Sequence, residues 1–370
     1  ASDPCSSTAA ARPSVPIEWL AELVLAISDD LAGNGGLSAL VMLALVLLNL
    51  VVFVHGARFL RPVAIVAMIG ALDVILKPMM FARPHLLAWP LLALWTMLML
   101  NARDRERARP PARGAVMLGW VNFHGSFVMG LAIAGAFGLE ALIQSSDRSR
   151  VARQWGLFGL ACLAAALLNP NGLEGLIHPF FIANLELLPL IDEWKPSSLE
   201  LTPYFFGVLA VMLLAVWRFG VRLSLVRTAL LLGLLGMALL QVRHQAVLAI
   251  VAAMVLPRAF AASRPDRRPA QTPSALGSGA WAALAFIVVA MLAIRLIAPV
   301  VPTENDANPR GLIAAVPAEL RSQPVLNGYS MGGPLILAGI RPYVDGRADM
   351  YGDELVVDYK RIVDGDAGAL

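Results

Sequence analysis

Along its first 300 residues the chain repeats one pattern, a long apolar run closed by a short polar loop. The runs are Leu37–Val54, Pro62–Leu76, Leu86–Leu100, Val116–Leu142, Trp155–Leu168, Pro203–Trp217, Thr228–Leu240, Ala246–Leu256 and Ala280–Ala298. Their length and lack of period-2 alternation predict helices. A span across hydrocarbon takes about 20 residues, so the shorter runs must be extended by interfacial residues or packed inside a bundle. Upstream, "IEWLAELVLAI" (Ile17–Ile27) has the look of an amphipathic helix lying in a membrane interface. Val116–Leu142 is interrupted by "NFHG" (Asn122–Gly125), which suits two short helices that turn inside the membrane. A single tilted helix is the alternative. After Val300 the pattern changes to alternating signals: a helix near Leu312–Arg321, a strand at "PVLN", a helix at "GGPLILAG", a strand at "RPYVDGR" and a helix at "GDELVVDYKRIV". That is the pattern of a small α/β unit. The expected organisation is residues 1–36 as an outer segment, 37–300 as a transmembrane bundle of eight spans plus a re-entrant hairpin at 116–142, and 301–370 as the α/β unit.

Charge sets the orientation. Loops 56–61, 101–114, 143–154, 218–227 and 257–272 carry two, five, three, three and four basic residues, whereas the opposite loops hold Arg12, Lys77, Arg83, Lys195 and Arg243. Cationic loops stay in the cytoplasm, so the first set is expected inside and both chain ends outside. A multi-pass membrane protein with the C-terminal unit extracytoplasmic is expected. The arrangement requires 116–142 to enter and leave on one side. The chain opens on Ala1 and stops just after an amphipathic stretch, so a piece of a longer protein is expected, with the α/β unit cut short.

Composition agrees with lipid as the main solvent. The chain is 58% hydrophobic and 15% charged, with a mean hydropathy of +0.70, where a soluble domain has roughly 45–50% apolar and about 25% charged residues. The net charge of +3 is small and its cations are scattered among loops, which speaks against nucleic acid. Cys5 and Cys162 form no framework and no metal spacing. No ligand cluster has metal spacing, so no cofactor is assigned, and divalent-metal dependence stays open.

"NGYSMGGPLILAG" (Asn327–Gly339) contains G-x-S-x-G at Gly328, Ser330 and Gly332, the spacing of a hydrolase nucleophile elbow. That fold places a His after the Ser, and the five histidines, His55, His85, His124, His178 and His244, all precede Ser330. Without a base the hydroxyl is a weak nucleophile. The glycines therefore read as a tight turn, with anion binding at a helix N-terminus as the other reading. The chain is not read as a serine hydrolase.

Ionisable groups in or beside spans are costly, and each is a functional candidate. Asp73 and Lys77 stand four apart on one helix face, as an ion pair or as a carboxylate near an outer cavity. Arg83 and His85 flank Pro84 at a helix entry, as a lipid-phosphate site or as headgroup anchors. Asn122 and His124 lie at the hairpin turn. Arg243 and His244 form a tight outer turn that has no need of a cation for orientation, and phosphate is a physical reason for one. Loop 169–202 carries Glu174, Glu186, Asp192, Glu193 and Glu200 against one Lys. Its "IDEWKP" is either simply solvated or a source of general base. Asp104 and Glu106 resemble a paired-carboxylate metal motif but sit in a basic loop. "DGRAD" (Asp345–Asp349) reads as a turn closed by an Arg–Asp pair or as a hydroxyl-binding set.

Several segments, in order, resemble a bacterial integral-membrane family of GT-C glycosyltransferase architecture: "IEWLAEL", "RPHLLAWPLLALW", "WVNFHGSFVMGL", "NPNGLEGLIHP", "IDEWKP", "VRHQ" and "NGYSMGGPLILAG…PYVDGRADMYGDEL". The similarity runs from about Ile17 to the end. It implies an all-α polytopic membrane protein, a GT-C-like bundle with a re-entrant hairpin plus the α/β unit. The wider superfamily, similar to protein O-mannosyltransferases and lipid A aminoarabinose transferases, transfers a sugar from a polyprenyl-phosphate donor on the outer face, in envelope glycan or glycolipid assembly. The resemblance implies that Arg83, His85, Arg243 and His244 hold the donor phosphate. Glu18 or Glu193 would deprotonate the acceptor, and His124 would line the cavity. Asp345, Arg347, Asp349 and Asp353 would bind acceptor hydroxyls or pair with one another. The usual acidic residue of that superfamily follows a first transmembrane helix, whereas here only Asp3 precedes Ile17, and Glu18 is the nearest candidate. The expected partners are membrane lipid and a polyprenyl-phosphate sugar, with no nucleic acid. A transporter or flippase of a lipid-linked or small solute, and a non-catalytic subunit of an envelope complex, remain the competing classes. In a cysteine-free background, a single cysteine at position 105 should react with an impermeant reagent only after the membrane is opened. Labelling of intact cells would overturn the orientation.

Overall fold

The computed structural model describes residues 5–9, 15–104, 110–185, 188, 191–263, 278–301, 303–305 and 308–366. Asp3, Arg12, Glu106, Glu186 and the basic stretch 264–272 of the sequence reading lie outside them. The architecture is all-helical, with 74% of residues in helix and no strand among the described residues. In chain order the helices are α1 (Trp19–Gly56), α2 (Pro62–Leu76), α3 (Pro84–Asp104), α4 (Pro110–Phe123), α5 (Phe127–Gln144), α6 (Arg148–Ala166), α7 (Gly172–Ala183), α8 (Pro203–Arg218), α9 (Leu225–Leu240), α10 (His244–Ala262), α11 (Ser278–Ile297), α12 (Arg310–Ala314), α13 (Gly332–Leu337) and α14 (Ala348–Val363). Two compact units divide them: residues 17–176 with 192–300, and residues 1–16 with 177–191 and 301–370. These boundaries differ from those drawn along the sequence. Residues 17–36 open the long helix of the bundle, and the segment 177–191 belongs to the unit of the C-terminal part.

The larger unit is the bundle. Five helical segments are long and apolar enough to cross a membrane: α1, α2 with the turn that follows it to Met79, α3, α5 and α10. The bundle is compatible with a multi-pass membrane protein. The expected span runs appear as helices, but α8 and α9 are shorter than a full span. The stretch 116–142, expected to hold two short helices, contains a segment of full-span length in α5. The expected interfacial helix and first span are one helix, α1, broken only at Ala32 and Gly33, where Gly33 turns to φ +53°.

Helices α3 and α10 form the centre. α3 packs against α1, α4, α5 and α10, and α10 also packs on α2 and α9. Leucine, alanine and valine bury α10 almost all round from Gln245 to Pro257. On α3, Trp95 is fully buried and its indole N–H donates to the Gly130 carbonyl at 2.8 Å, while its ring stacks on Phe158 at 5.9 Å. α4 and α5 meet at a break after Phe123, where the chain folds back. Trp120 and Met117 of α4 lie against Gly130 of α5, which has room for no side chain.

The bundle has two polar ends. α3, α5 and α10 leave the end that holds His85, His124 and Arg243 and finish at the end that holds Asp104, Glu140 and Arg258. At 1.5 Å per residue, His85 and Asp104 are about 28 Å apart along α3, close to the roughly 30 Å of a hydrocarbon core. At the second end Glu140 is 1% exposed, receives Arg227 Nε at 2.9 Å and lies 3.2 Å from Arg103 Nε as an ion pair without a hydrogen bond. The Ser224 hydroxyl, whose oxygen also accepts from the Arg227 N–H to cap α9, completes its shell. Asp104 pairs with Arg258 and lies 3.9 Å from Arg227. Four helices, α3, α5, α9 and α10, are thus joined through two carboxylates. Elsewhere the expected Asp73–Lys77 pair does not form, and Asp73 instead accepts from the Asn49 amide on α1 at 3.1 and 3.3 Å.

The smaller unit forms around Ile313, Leu335 and Ile340. Its expected strands shrink to one bridge, Val325 with Pro342. Asn327 ties the two segments beyond this bridge: its side-chain oxygen accepts at 2.8 Å from the Tyr343 N–H, which also donates to the Val325 carbonyl at 2.9 Å, and its amide donates to the Val344 carbonyl at 2.9 Å. The expected helix Leu312–Arg321 is cut by Pro317 into α12 and the 3₁₀ turn Ala318–Leu320. Ser330 sits in the 3₁₀ turn Tyr329–Met331. A side chain at Gly332 would overlap the Val344 carbonyl and Asp345, and this close approach accounts for the Gly of the motif.

Removing one partner of a buried ion network leaves the others uncompensated, at a cost of about 3 kcal/mol. Glu140→Gln is therefore expected to lower the midpoint of heat-induced loss of the monodisperse detergent-solubilised protein by about 5 °C or more. An unchanged midpoint would show that the two arginines find other partners.

Candidate functional site

The polar end of the bundle that starts α3 is built by three local devices. The first is the turn into α3. Lys77–Met79 form a 3₁₀ turn, Pro84 opens the helix with a fixed φ and no N–H to satisfy, and His85 follows it. The His85 ring hydrogen-bonds through Nε2 to the Met79 carbonyl at 3.0 Å. A carbonyl only accepts, so Nε2 carries the proton and Nδ1 is the ring's acceptor.

The second device is the α4–α5 break. His124 Nδ1 accepts the Ser126 backbone N–H at 2.9 Å, and the Trp120 indole N–H donates to the Ser126 hydroxyl at 3.1 Å. Nδ1 is thereby the unprotonated nitrogen of the neutral ring, and Nε2 holds the proton. Nε2 lies 3.1 Å from Glu18 Oε1. Glu18 is held in turn by its neighbour: the Trp19 indole N–H donates to Asn122 Oδ1 at 2.8 Å, while the Asn122 amide donates to the carbonyls of Leu118 and Leu168 at 2.8 and 3.2 Å. The His124 ring therefore has a fixed orientation, with the Glu18 carboxylate at its Nε2.

The third device is the loop that carries Glu193. Its backbone pairs with the α9–α10 turn: Arg243 N–H to the Glu193 carbonyl at 2.9 Å, Val242 N–H to Lys195 at 3.0 Å and Ser197 N–H to Leu239 at 2.9 Å. The Arg243 guanidinium lies over the Trp194 ring at 4.0 Å, a cation–π arrangement. Arg83 reaches Glu193 at 3.4 Å, with both side chains substantially exposed, so that pair adds little stability. The rings of His85 and His124 meet edge to face at 6.4 Å.

Of the residues singled out along the sequence, Glu18, Arg83, His85, His124, Glu193 and Arg243 are brought to this one end. His244 is the next residue and the first of α10, and its ring Nδ1 is buried with no hydrogen-bond partner. Asp345, Arg347 and Asp349 lie in the other unit. There Asp345 is 2% exposed and accepts from the Arg347 backbone N–H and Nε, both at 2.9 Å, from Arg347 Nη2 at 2.6 Å and from Tyr351 Oη at 2.7 Å. Its acceptor capacity is filled inside the turn. Asp349 pairs with His178 of α7 at 3.0 Å. Among the described residues no three His, Cys, Asp or Glu side chains are grouped to hold a metal ion. The sequence reading missed the roles of Trp19, Ser126 and Glu140. Glu140 had a signal, as a carboxylate inside an apolar run, whereas nothing in the sequence pairs Trp19 with Asn122.

Comparison of the chain with models of protein families, with curated proteins and with solved structures finds no match.

Asp345 provides a pH test of the smaller unit. Burial disfavours its charge, but the hydrogen bonds from Arg347 and Tyr351 outweigh this and hold the carboxyl below the ordinary value of 3.8. A depressed folded value stabilises the fold fully above the ordinary one, and the stabilisation is lost as pH falls through the folded one. At pH 7, Asp345→Asn should speed hydrogen exchange of amides 343–351 about tenfold, equivalent to roughly 1.4 kcal/mol. The difference from wild type should vanish in strong acid. Equal exchange at pH 7 would remove Asp345 as the organiser of the turn.

Proposed function

We propose that this chain is a GT-C-like membrane glycosyltransferase, which moves a sugar from a polyprenyl-phosphate donor to a hydroxyl acceptor on the outer face of a bacterial inner membrane. The observation that carries the reading is the oriented Glu18–His124 pair set beside the arginines Arg83 and Arg243 at one end of an apolar bundle. The family resemblance of the sequence motifs supports it, because those motifs contribute the residues of this end.

In this reading Glu18 is the general base. Glu193 is a weaker choice because it is engaged by Arg83. Glu18 accepts the proton of the acceptor hydroxyl, and the oxygen attacks the anomeric carbon. The bond from that carbon to the phosphate oxygen breaks, and the polyprenyl phosphate leaves with the electron pair. His124 donates its Nε2–H to Glu18 and so keeps the carboxylate aimed and ionised in a partly dehydrated place. Arg243 and Arg83 meet the charge that grows on the leaving phosphate, and charge-assisted hydrogen bonds to such a group are the strong ones. His85, whose Nε2 proton is held by Met79, presents an acceptor nitrogen and orders the rings rather than donating to the phosphate.

Such a hydrogen bond is worth roughly 1.5–3 kcal/mol. Arg243→Ala should weaken binding of a short-chain polyprenyl phosphate to the detergent-purified protein by about 10- to 100-fold. Arg243→Lys should recover only part, because it keeps the charge and loses the fork. Glu18→Gln should keep binding and abolish transfer. Equal affinity in wild type and both Arg243 variants would leave Arg243 as a structural cap on its turn and withdraw the reading.

A further inference from the structure

Inside the bundle Glu140 meets two arginines, whereas Asp73 meets an amide. Asp73 lies about 16 Å along α2 from Pro62, and Asn49 lies about 10 Å before the end of α1. Arg58, just past that end, reaches Asn101 near the end of α3 at 3.0 Å. The pair thus stands roughly 10–16 Å inside a bundle about 28 Å long, beside Leu48 and Leu72 of the apolar core. The Asn49 amide donates to both carboxyl oxygens, at 3.1 and 3.3 Å. Its own oxygen is buried and has no donor. Among the described residues Asp73 has no other hydrogen-bond or ion-pair partner.

The surroundings supply no cation. α2 carries no other titratable group, and it packs on α1, α8, α10 and the turn that follows it. Lys77 in that turn is exposed and makes no pair with Asp73. On α10, His244 opens the helix and Arg258 pairs with Asp104 at the far end. Tyr204 and Arg218 stand at the two ends of α8. On α1, Glu22, Asp29 and Asp30 precede the break at Ala32, and His55 bonds to the Met254 carbonyl.

From this placement we infer that Asp73 and Asn49 form an intramembrane binding site for one proton, held at neutral pH. The inference rests on the bundle lying in a membrane and not on the transferase reading. An ionised carboxylate at this depth is costly when its partner is a neutral amide. The amide that serves it also buries an unmet oxygen, which is a second cost. One proton removes both. The carboxylate takes the proton from water and becomes a neutral acid with an O–H to donate. A half-turn of the Asn49 amide exchanges its two ends, and Oδ1 accepts from that O–H. The displaced amide N–H groups then face their own helix. Asn122 and Asn184 already donate in that way, each to the carbonyl four residues earlier. A hard metal cation is a poorer occupant, since it takes about six oxygen ligands and the two side chains offer three.

The test uses the full chain in phosphatidylcholine vesicles. Dicyclohexylcarbodiimide is apolar and adds to a carboxylic acid, not to a carboxylate, to give an acylurea. At pH 7 the peptide that contains Asp73 is expected to carry this adduct. Once the site begins to empty, each further pH unit should slow the modification about tenfold. Infrared difference spectra of wild type against Asp73→Asn should show the C=O stretch of a protonated acid at pH 7. Asn49→Leu removes the acceptor and should keep that band but move it to higher frequency. Asp73→Asn stands in for the neutral acid and should keep the heat-induced midpoint at pH 7 within about 2 °C of wild type. Both variants are checked for a monodisperse, helical state, and pH-difference spectra of the wild type alone carry the same acid band. Carboxylate bands in place of the acid band at pH 7 would overturn the proposal, whatever the reagent reaches. A midpoint lowered by about 5 °C in Asp73→Asn would show that the charge is needed, and would overturn it too. An acid band unmoved in Asn49→Leu would overturn the two-residue site. Protection from the carbodiimide by sodium ions at constant pH would give the site to a metal cation and overturn the assignment to a proton.

Discussion

A charge inside an apolar helix bundle must find its partner within the protein, and here the Glu140 carboxylate does so with Arg227, Arg103 and Ser224. Those partners come from α3 and from the start of α9, so satisfying one carboxylate of α5 sets the mutual rotation of α3, α5 and α9. Asp104 extends the constraint to α10 through Arg258. With that end tied, the opposite ends of α3, α5 and α10 are brought together about one hydrocarbon thickness away. There His85, His124 and Arg243 gather. The proposed chemistry thus depends on an ion network that takes no part in it. Buried ion pairs are expensive to desolvate and add little net stability, but an incorrect packing that leaves one partner alone is far worse. The network therefore acts as a selector of helix register.

The other polar end works by fixing hydrogen-bond directions. Ser126 presents its N–H to His124, because the chain leaves helical geometry between α4 and α5 and the freed backbone group needs a partner. The imidazole then has a single neutral form available, and its remaining proton meets Glu18. A polar break in an apolar segment is costly in itself. Here the cost is offset by interlocking bonds among Trp19, Trp120, Asn122, Ser126 and the Leu168 carbonyl. In the proposed reading, an imidazole held to one orientation beside a carboxylate is what a general base requires. In the smaller unit Asp345 uses the same device for another purpose, since Arg347 and Tyr351 fill its lone pairs and close a turn.

Much of this was legible along the chain. The apolar runs predict the helices because period and hydropathy report directly on what solvent a segment prefers. The break at Asn122–Gly125 is visible because a Gly and polar side chains interrupt hydrocarbon. His85, His124 and Arg243 stand out because ionisable residues beside spans are costly. The strands at "PVLN" and "RPYVDGR" were over-read. Their local pattern suits extension, but beyond one bridge the Asn327 side chain makes the cross-links, and no propensity encodes that. The Asp73–Lys77 pair was inferred from helical spacing alone, and Asn49 of another helix supplied Asp73 with nearer hydrogen bonds.

By itself the sequence determined the solvent preference of each segment, the places where helices must stop and the small set of side chains whose charge had to be accounted for. These are local properties, set by a residue and its near neighbours. Which charges meet was decided by tertiary packing alone. Glu18 and His124 are 106 positions apart, Arg83 and Glu193 are 110 apart, and nothing within a helical turn of any of them names its partner. His244 stands next to Arg243 and shared its expected role, yet one residue of helix rotates a side chain by about 100°. That rotation leaves the His244 Nδ1 buried without a partner and Arg243 over Trp194.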